Sequence, residues 1–138
     1  MEAWLGELVR QKVRQVPKCI LIVDDHEQIR RKIREFLEFE SGFEVCGEAV
    51  DGFDAVREAK ELKPDLIILD MSMPRLNGIE AAPILKRLLP ETPIVLFTSY
   101  EDALVGFDVQ RAGIDAVVSK GGDLSLLLES VQNLMEKA

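Results

Sequence analysis

The chain has 138 residues, 47% of them hydrophobic, which suits one domain of ordinary size with a real core and excludes a disordered chain. Lysine and arginine number 17 against 25 aspartates and glutamates, a net charge of −8 that opposes direct contact with nucleic acid, whose binding is driven largely by neutralising phosphates. No apolar run is long enough to span a bilayer and the opening stretch has no signal-peptide core, so the expected location is the cytoplasm, away from membranes.

Residues 1–17 read as an N-terminal leader and residues 18–138 as a single domain. In the leader, Leu5, Leu8, Val9, Val13 and Val16 have rough helical spacing, with Trp4 beside them. It is either a frayed extension or a helix that packs on the domain or on a second copy. The first strand is Cys19-Ile20-Leu21-Ile22-Val23. Ile29, Ile33, Phe36 and Leu37 then form one face of a helix, which Ser41-Gly42 can end with a left-handed cap. Phe43-Glu44-Val45-Cys46 is the second strand; Asp51-Gly52 opens a second helix carrying Val56, Ala59 and Leu62, and Pro64 follows its end.

Leu66-Ile67-Ile68-Leu69 is the third strand, and Leu85, Leu88 and Leu89 mark a third helix. Pro83 fits that helix poorly, so the helix either starts after it or bends there. Ile94-Val95-Leu96-Phe97 is the fourth strand. Ser99-Tyr100-Glu101-Asp102 has the spacing of a capping box ahead of a fourth helix with Val105, Val109 and Ala112, and Gly113 can close it. Ala116-Val117-Val118 is the fifth strand; Leu124, Leu127, Leu128, Val131 and Met135 mark the fifth helix. Short β-branched runs that mostly do not alternate with polar residues suit strands buried on both faces. Five strands alternating with helices predict an α/β (βα)₅ fold, a doubly wound parallel sheet with helices on both faces.

Cys19 and Cys46 both fall in predicted strands and are expected to be two buried free thiols. A disulfide is disfavoured in a reducing cytoplasm. Two cysteines and the single histidine, His26, cannot complete a structural zinc site.

Ligands of open α/β sheets bind beyond the carboxyl ends of the strands. The residues that follow the strands are Asp24 and Asp25, then Asp70, then Thr98 and Ser99, then Ser119 and Lys120. Each alone could cap a helix or sit on the surface; together they put three carboxylates, a hydroxyl and an ammonium at one end of the sheet. Clustered carboxylates raise one another's pKa, and a divalent cation relieves the repulsion. Hard oxygen ligands select Mg²⁺ or Mn²⁺. Such a site suits phosphoryl transfer, in which one carboxylate is the nucleophile while the lysine and the hydroxyl meet the phosphoryl oxygens.

The succession Val23-Asp24-Asp25, Leu69-Asp70-Met71-Ser72-Met73-Pro74 with Asn77-Gly78, Thr98-Ser99 and Ser119-Lys120 resembles the receiver domain of two-component response regulators, from about Cys19 to Met135. Asp24-Asp25-His26 and Phe43-Glu44-Val45-Cys46-Gly47-Glu48-Ala49 are most similar to receivers of nitrate-regulator type. The resemblance implies a flavodoxin-like sheet of strand order 2-1-3-4-5. It makes Asp70 the phosphoacceptor, Asp25 a direct Mg²⁺ ligand, Asp24 its partner acting through water, and Ser72 a backbone-carbonyl ligand. It makes Thr98 the switch hydroxyl and Lys120 the phosphate contact. The implied phosphodonor is a phosphohistidine on a sensor histidine kinase or phosphotransfer protein, small acyl phosphates also serving. His26 is expected to begin the first helix. The implied response is a shift of the surface made by the fourth helix, the fifth strand and the fifth helix, which is also the expected homodimer face.

The family often places an aromatic residue three positions before the lysine; Val117 stands there, and Tyr100 is a candidate substitute. Ser72 and Tyr100 are expected to tune access of water to the phosphate. An aspartyl-phosphate phosphatase would need an acid/base aspartate where Ser72 stands, and a dinucleotide-binding domain would need a glycine-rich loop where Asp24 and Asp25 stand. An inactive receiver serving only as a docking surface would not need the complete set of charged residues.

Overall fold

The computed structural model describes residues 17–40, 42–99 and 108–136. Its elements are β1 (Lys18–Val23), α1 (Glu27–Phe39), β2 (Phe43–Ala49), α2 (Gly52–Leu62), β3 (Leu66–Leu69), α3 (Gly78–Leu88), β4 (Ile94–Thr98), β5 (Ala116–Ser119) and α4 (Leu124–Glu136), the last being the fifth helix of the sequence reading. All strand pairs are parallel and the order is β2-β1-β3-β4-β5.

The apolar runs fill both faces of the sheet because successive side chains along a strand point to opposite sides. Leu21, Val23, Ile67, Leu69, Ile94 and Leu96 meet Ala55, Ala59, Ala81, Ala82 and Leu85 of α2 and α3. Ile20, Ile22, Leu66, Ile68, Val95 and Phe97 meet Ile33 and Leu37 of α1 and Leu127 and Val131 of α4. Each large side chain among these, when fully buried, contributes about 1.5–3 kcal/mol.

The signals for the first, second, third and fifth helices hold, with additions. Asp51 caps α2, its side chain accepting from Asp54 N–H, and Asn77 with Glu80 forms a full capping box on α3. The third helix starts at Gly78 and runs through Pro83. Pro83 lies on the exposed side, where water can serve the Ile79 carbonyl that lacks its usual donor. Gly113, with φ +95°, closes a helical turn at residues 108–113. Gly113 N–H donates to Gln110 C=O and Ile114 N–H to Val109 C=O, the paired bonds of a Schellman end. Residues 1–16 of the leader, Ser41, the Ser99–Asp102 box beyond Ser99, and the expected start of the fourth helix, including Tyr100 and Val105, lie outside the described residues.

The cysteine expectation is overturned. Cys19 and Cys46 are joined in a disulfide, with Cα atoms 5.3 Å apart, and both are only half-buried. The cause is local. The β1–β2 register shifts between Ile20 and Leu21, pairing Ile20 with Val45 but Leu21 with Gly47, so Cys46 is the extra residue of a bulge. That places it diagonally across from Cys19 on the neighbouring strand, within bridging range.

Candidate phosphoryl-transfer site

The strand order puts β1 and β3 side by side, and Asp70 N–H donates to Val23 C=O at 2.9 Å. The acidic pair at the end of β1 therefore stands beside Asp70 at the end of β3, where the direction of strand succession reverses. Asp24 and Asp70 are buried, 2% and 3% exposed, as is Thr98 at the end of β4. Lys120, just past β5, donates its backbone N–H to Thr98 C=O at 2.9 Å. Its side chain reaches back past β4: Nζ lies 2.6 Å from Asp24 Oδ2 and 3.1 Å from Asp70 Oδ1. It also passes 5.8 Å from the centre of the Phe97 ring, close enough for a cation–π contact.

His26 N-caps α1 as expected, but its ring also turns into the site. Its backbone N–H donates to Asp24 Oδ1 at 2.9 Å, and its Nδ1 lies 3.1 Å from both Asp24 Oδ1 and Asp25 Oδ1. Ligand atoms of Asp24, Asp25, His26 and Asp70 all fall within 4.8 Å of one another, near enough to share one ion. Asp25, His26 and Asp70 border a cavity of about 360 Å³ that Ile29, Ser72, Ser99 and Lys120 also line.

The charges are imperfectly balanced. Burial raises the Asp70 carboxyl above its ordinary range, and neighbouring Asp24 raises it further; Lys120 offsets only part of this. Burial disfavours the Lys120 cation, yet its bonds to Asp24 and Asp70 outweigh that and hold its pKa above the usual lysine value. Three carboxylates around one ammonium leave a surplus of negative charge that a hard divalent cation would neutralise, and oxygen donors are what Mg²⁺ and Mn²⁺ prefer.

Two supports were not read from the sequence. The loop from Asp70 to α3 is clasped to the start of α2: Arg75 donates from Nε and Nη2 to Asp51 Oδ2 at 2.8 and 2.5 Å, and Gly52 N–H donates to Leu76 C=O at 3.0 Å. The Asp54 N–H and the Arg75 guanidinium hold Asp51 below the usual carboxylate range. At the far end of that loop Gly78 sits so close that an added Cβ would lie 2.3 Å from Asp70 C=O. On the other side, Arg30 of α1 donates to Asp24 C=O at 2.7 Å and to Glu48 of β2 at 2.8 Å. Glu48 resists burial of its charge, but Arg34 and Arg30 outweigh that penalty and lower its pKa. Both clasps join elements distant in sequence, so no local pattern announces them; Asp51-Gly52 was legible only as a helix start.

Comparison with known proteins agrees with this geometry. The sequence model described as the response regulator receiver domain matches residues 20–132. The response regulator protein VraR of Staphylococcus saprophyticus is 36% identical over 117 residues, covering 85% of this chain and 56% of that protein. The chain thus spans little more than half the length of the curated relatives it matches. Among solved structures, a LuxR-family two-component response regulator from Aurantimonas sp. SI85-9A1 superposes with a TM-score of 0.82 at 27% identity, covering 88% of this chain and 86% of that one. The response regulator domain of Thermotoga maritima CheB superposes with a TM-score of 0.76 at 31% identity, covering 87% and 97%.

Proposed function

Because this chain belongs to the response-regulator receiver family, we propose that its Asp70 accepts a phosphoryl group from the phosphohistidine of a sensor histidine kinase or phosphotransfer protein, with Mg²⁺ or Mn²⁺ held at the acidic cluster. The observation that carries this reading is the single Lys120 ammonium between Asp24 and Asp70, at 2.6 and 3.1 Å, beside a charge-surplus cavity.

Asp25, Asp70 and the Ser72 backbone carbonyl would hold the cation, with Asp24 acting through water. When bound, the cation supplies neutralisation of the carboxylates and of the phosphoryl oxygens. An Asp70 oxygen attacks phosphorus; the new O–P bond forms as the P–N bond breaks, and its electron pair leaves with the donor imidazole. Lys120, which pairs with two carboxylates beforehand, then pairs with a phosphoryl oxygen, and the Thr98 hydroxyl donates to another. Ser72, exposed at the cavity wall, regulates approach of water to the acyl phosphate. A serine at that position, in place of an acid/base aspartate, favours a switch over turnover of external phosphate esters.

Drawing Thr98 toward the phosphate would shift the chain after β4 and the surface of β5 and α4, a local charge change biasing a two-state element. Val117 lies on that surface, 38% exposed. We assign the same surface to homodimer formation, and the domain to the cytoplasm with its kinase.

The test is to incubate the protein with acetyl phosphate, with and without Mg²⁺, and determine its intact mass. A gain of one phosphoryl group that requires Mg²⁺ supports the proposal. Continuous phosphate release from unrelated esters, with no phosphorylated protein, would replace it with an enzyme.

A further inference from the structure

Resting on the receiver reading above, we propose that Arg30 is a positioning residue that holds the Asp24–Asp25 pair in place for its cation, with Glu48 as its brace. Arg30 stands in the first turns of α1, and its side chain is only 13% exposed. Its Nη1 donates to Asp24 C=O at 2.7 Å and its Nε to Glu48 Oε1 at 2.8 Å. The other Glu48 oxygen is gripped by Arg34, through Nε at 3.0 Å and Nη2 at 2.5 Å. Glu48 itself is fixed in β2, opposite Ile22 of β1. A line of charged hydrogen bonds thus runs from Arg34 through Glu48 and Arg30 to the backbone of the acidic turn.

What that line fixes is the plane of one peptide. The Asp24 carboxylate is already committed, Oδ2 to Lys120 and Oδ1 to the His26 backbone. The Asp24 carbonyl, bound by Arg30, belongs to the peptide that joins Asp24 to Asp25. Rotation of that peptide would swing the Asp25 carboxylate, which is 30% exposed and faces the cavity. The guanidinium suits the task because its donors lie in one rigid plane, so a carbonyl and a carboxylate are met at a fixed angle; a lysine ammonium, a point charge on a flexible stem, sets no such angle. Groups that orient metal ligands from behind typically govern metal affinity by about 10–100-fold.

The test is direct titration of Mg²⁺ into the full chain by calorimetry, without phosphodonor, for wild type, Arg30→Met, Arg30→Lys and Glu48→Gln, with thermal midpoints in parallel. The expected result is a Kd for Mg²⁺ raised about tenfold in Arg30→Met, not restored in Arg30→Lys, and raised less in Glu48→Gln. Combining Arg30→Met with Glu48→Gln should weaken Mg²⁺ no further than Arg30→Met alone. If Arg30→Met does not fold, Glu48→Gln decides, since it loosens the brace while leaving the acidic turn intact. Lowered thermal midpoints with unchanged Mg²⁺ affinity would overturn the inference and leave the receiver reading standing. Failure of the wild type to bind Mg²⁺ would instead overturn the receiver reading itself.

Discussion

Lys120 Nζ lies 2.6 Å from Asp24 Oδ2, so the residue after β5 is tied to the residue after β1 across the width of the β3–β4 strand ends. Asp24 is buried, the Lys120 side chain is only 10% exposed, and Asp70 shares the same ammonium. Removing one partner of a buried ion pair typically costs 3–5 kcal/mol, because a charge is left without compensation. Lys120→Met should therefore lower stability to urea at neutral pH by about 3 kcal/mol. Adding Asp70→Asn should return part of the loss by removing one of the stranded charges. Simple additivity of the two substitutions would contradict the coupling.

The pH dependence of stability should carry two contributions of opposite sign. Asp70 is held above the ordinary 3.8, so the folded chain binds its proton more tightly than the unfolded chain. Stability from this source falls as pH rises from 3.8 through the raised value. Asp70→Asn should remove that decline and gain on wild type as pH climbs. Asp51 is held below 3.8, so its contribution is full above that pH and is lost as pH falls through the lowered value. Asp51→Asn should be weaker than wild type at neutral pH, with the gap closing in acid. Urea melts at a series of pH values check both; parallel curves for all three proteins would refute them.

Gly78 has no room for a side chain. A Cβ there would meet Asp70 C=O at 2.3 Å and Met71 Cα at 2.9 Å, both backbone atoms that cannot swing aside. Gly78→Ala should displace the backbone at the phosphoacceptor and slow acetyl phosphate labelling by about tenfold or more, since small misplacements of reacting groups carry penalties of that order. A normal labelling rate would mean that the loop relaxes without moving Asp70.

The Cys19–Cys46 bridge closes a loop with a sequence separation of 27. In the chain-entropy account a loop of that length is worth about 3.5 kcal/mol. Unreduced protein should show no free thiol in denaturant, and reduction or Cys46→Ser should lower stability by that amount. Two titratable thiols in the unreduced protein would contradict the pairing.

The five strands were readable because each is a short apolar run bounded by turn residues, and their ends named the acidic, hydroxyl and ammonium groups. The strand order came from family resemblance, since periodicity says nothing about which strand lies beside which. The same gap explains the errors and omissions. The disulfide depends on β1 lying beside β2 and on a one-residue bulge at Cys46. The Arg30–Glu48 and Arg75–Asp51 pairs depend on which elements pack together, not on local pattern. Arg75 adds a left-handed φ of +69°, which a non-glycine residue does not advertise. Of the two readings of Pro83, a later start is overturned, since the helix begins at Gly78 and contains the proline.

The central claim is that Asp70 carries the phosphoryl group, and the direct measurement is chemical trapping of the labelled residue. Protein treated with acetyl phosphate and Mg²⁺ is reduced with borohydride, which converts an aspartyl phosphate to homoserine, and its peptides are sequenced by mass spectrometry. The account predicts conversion at residue 70, dependent on both reagents. Conversion at Asp24, Asp25 or another carboxylate, or none under conditions where Mg²⁺ binds, would contradict it.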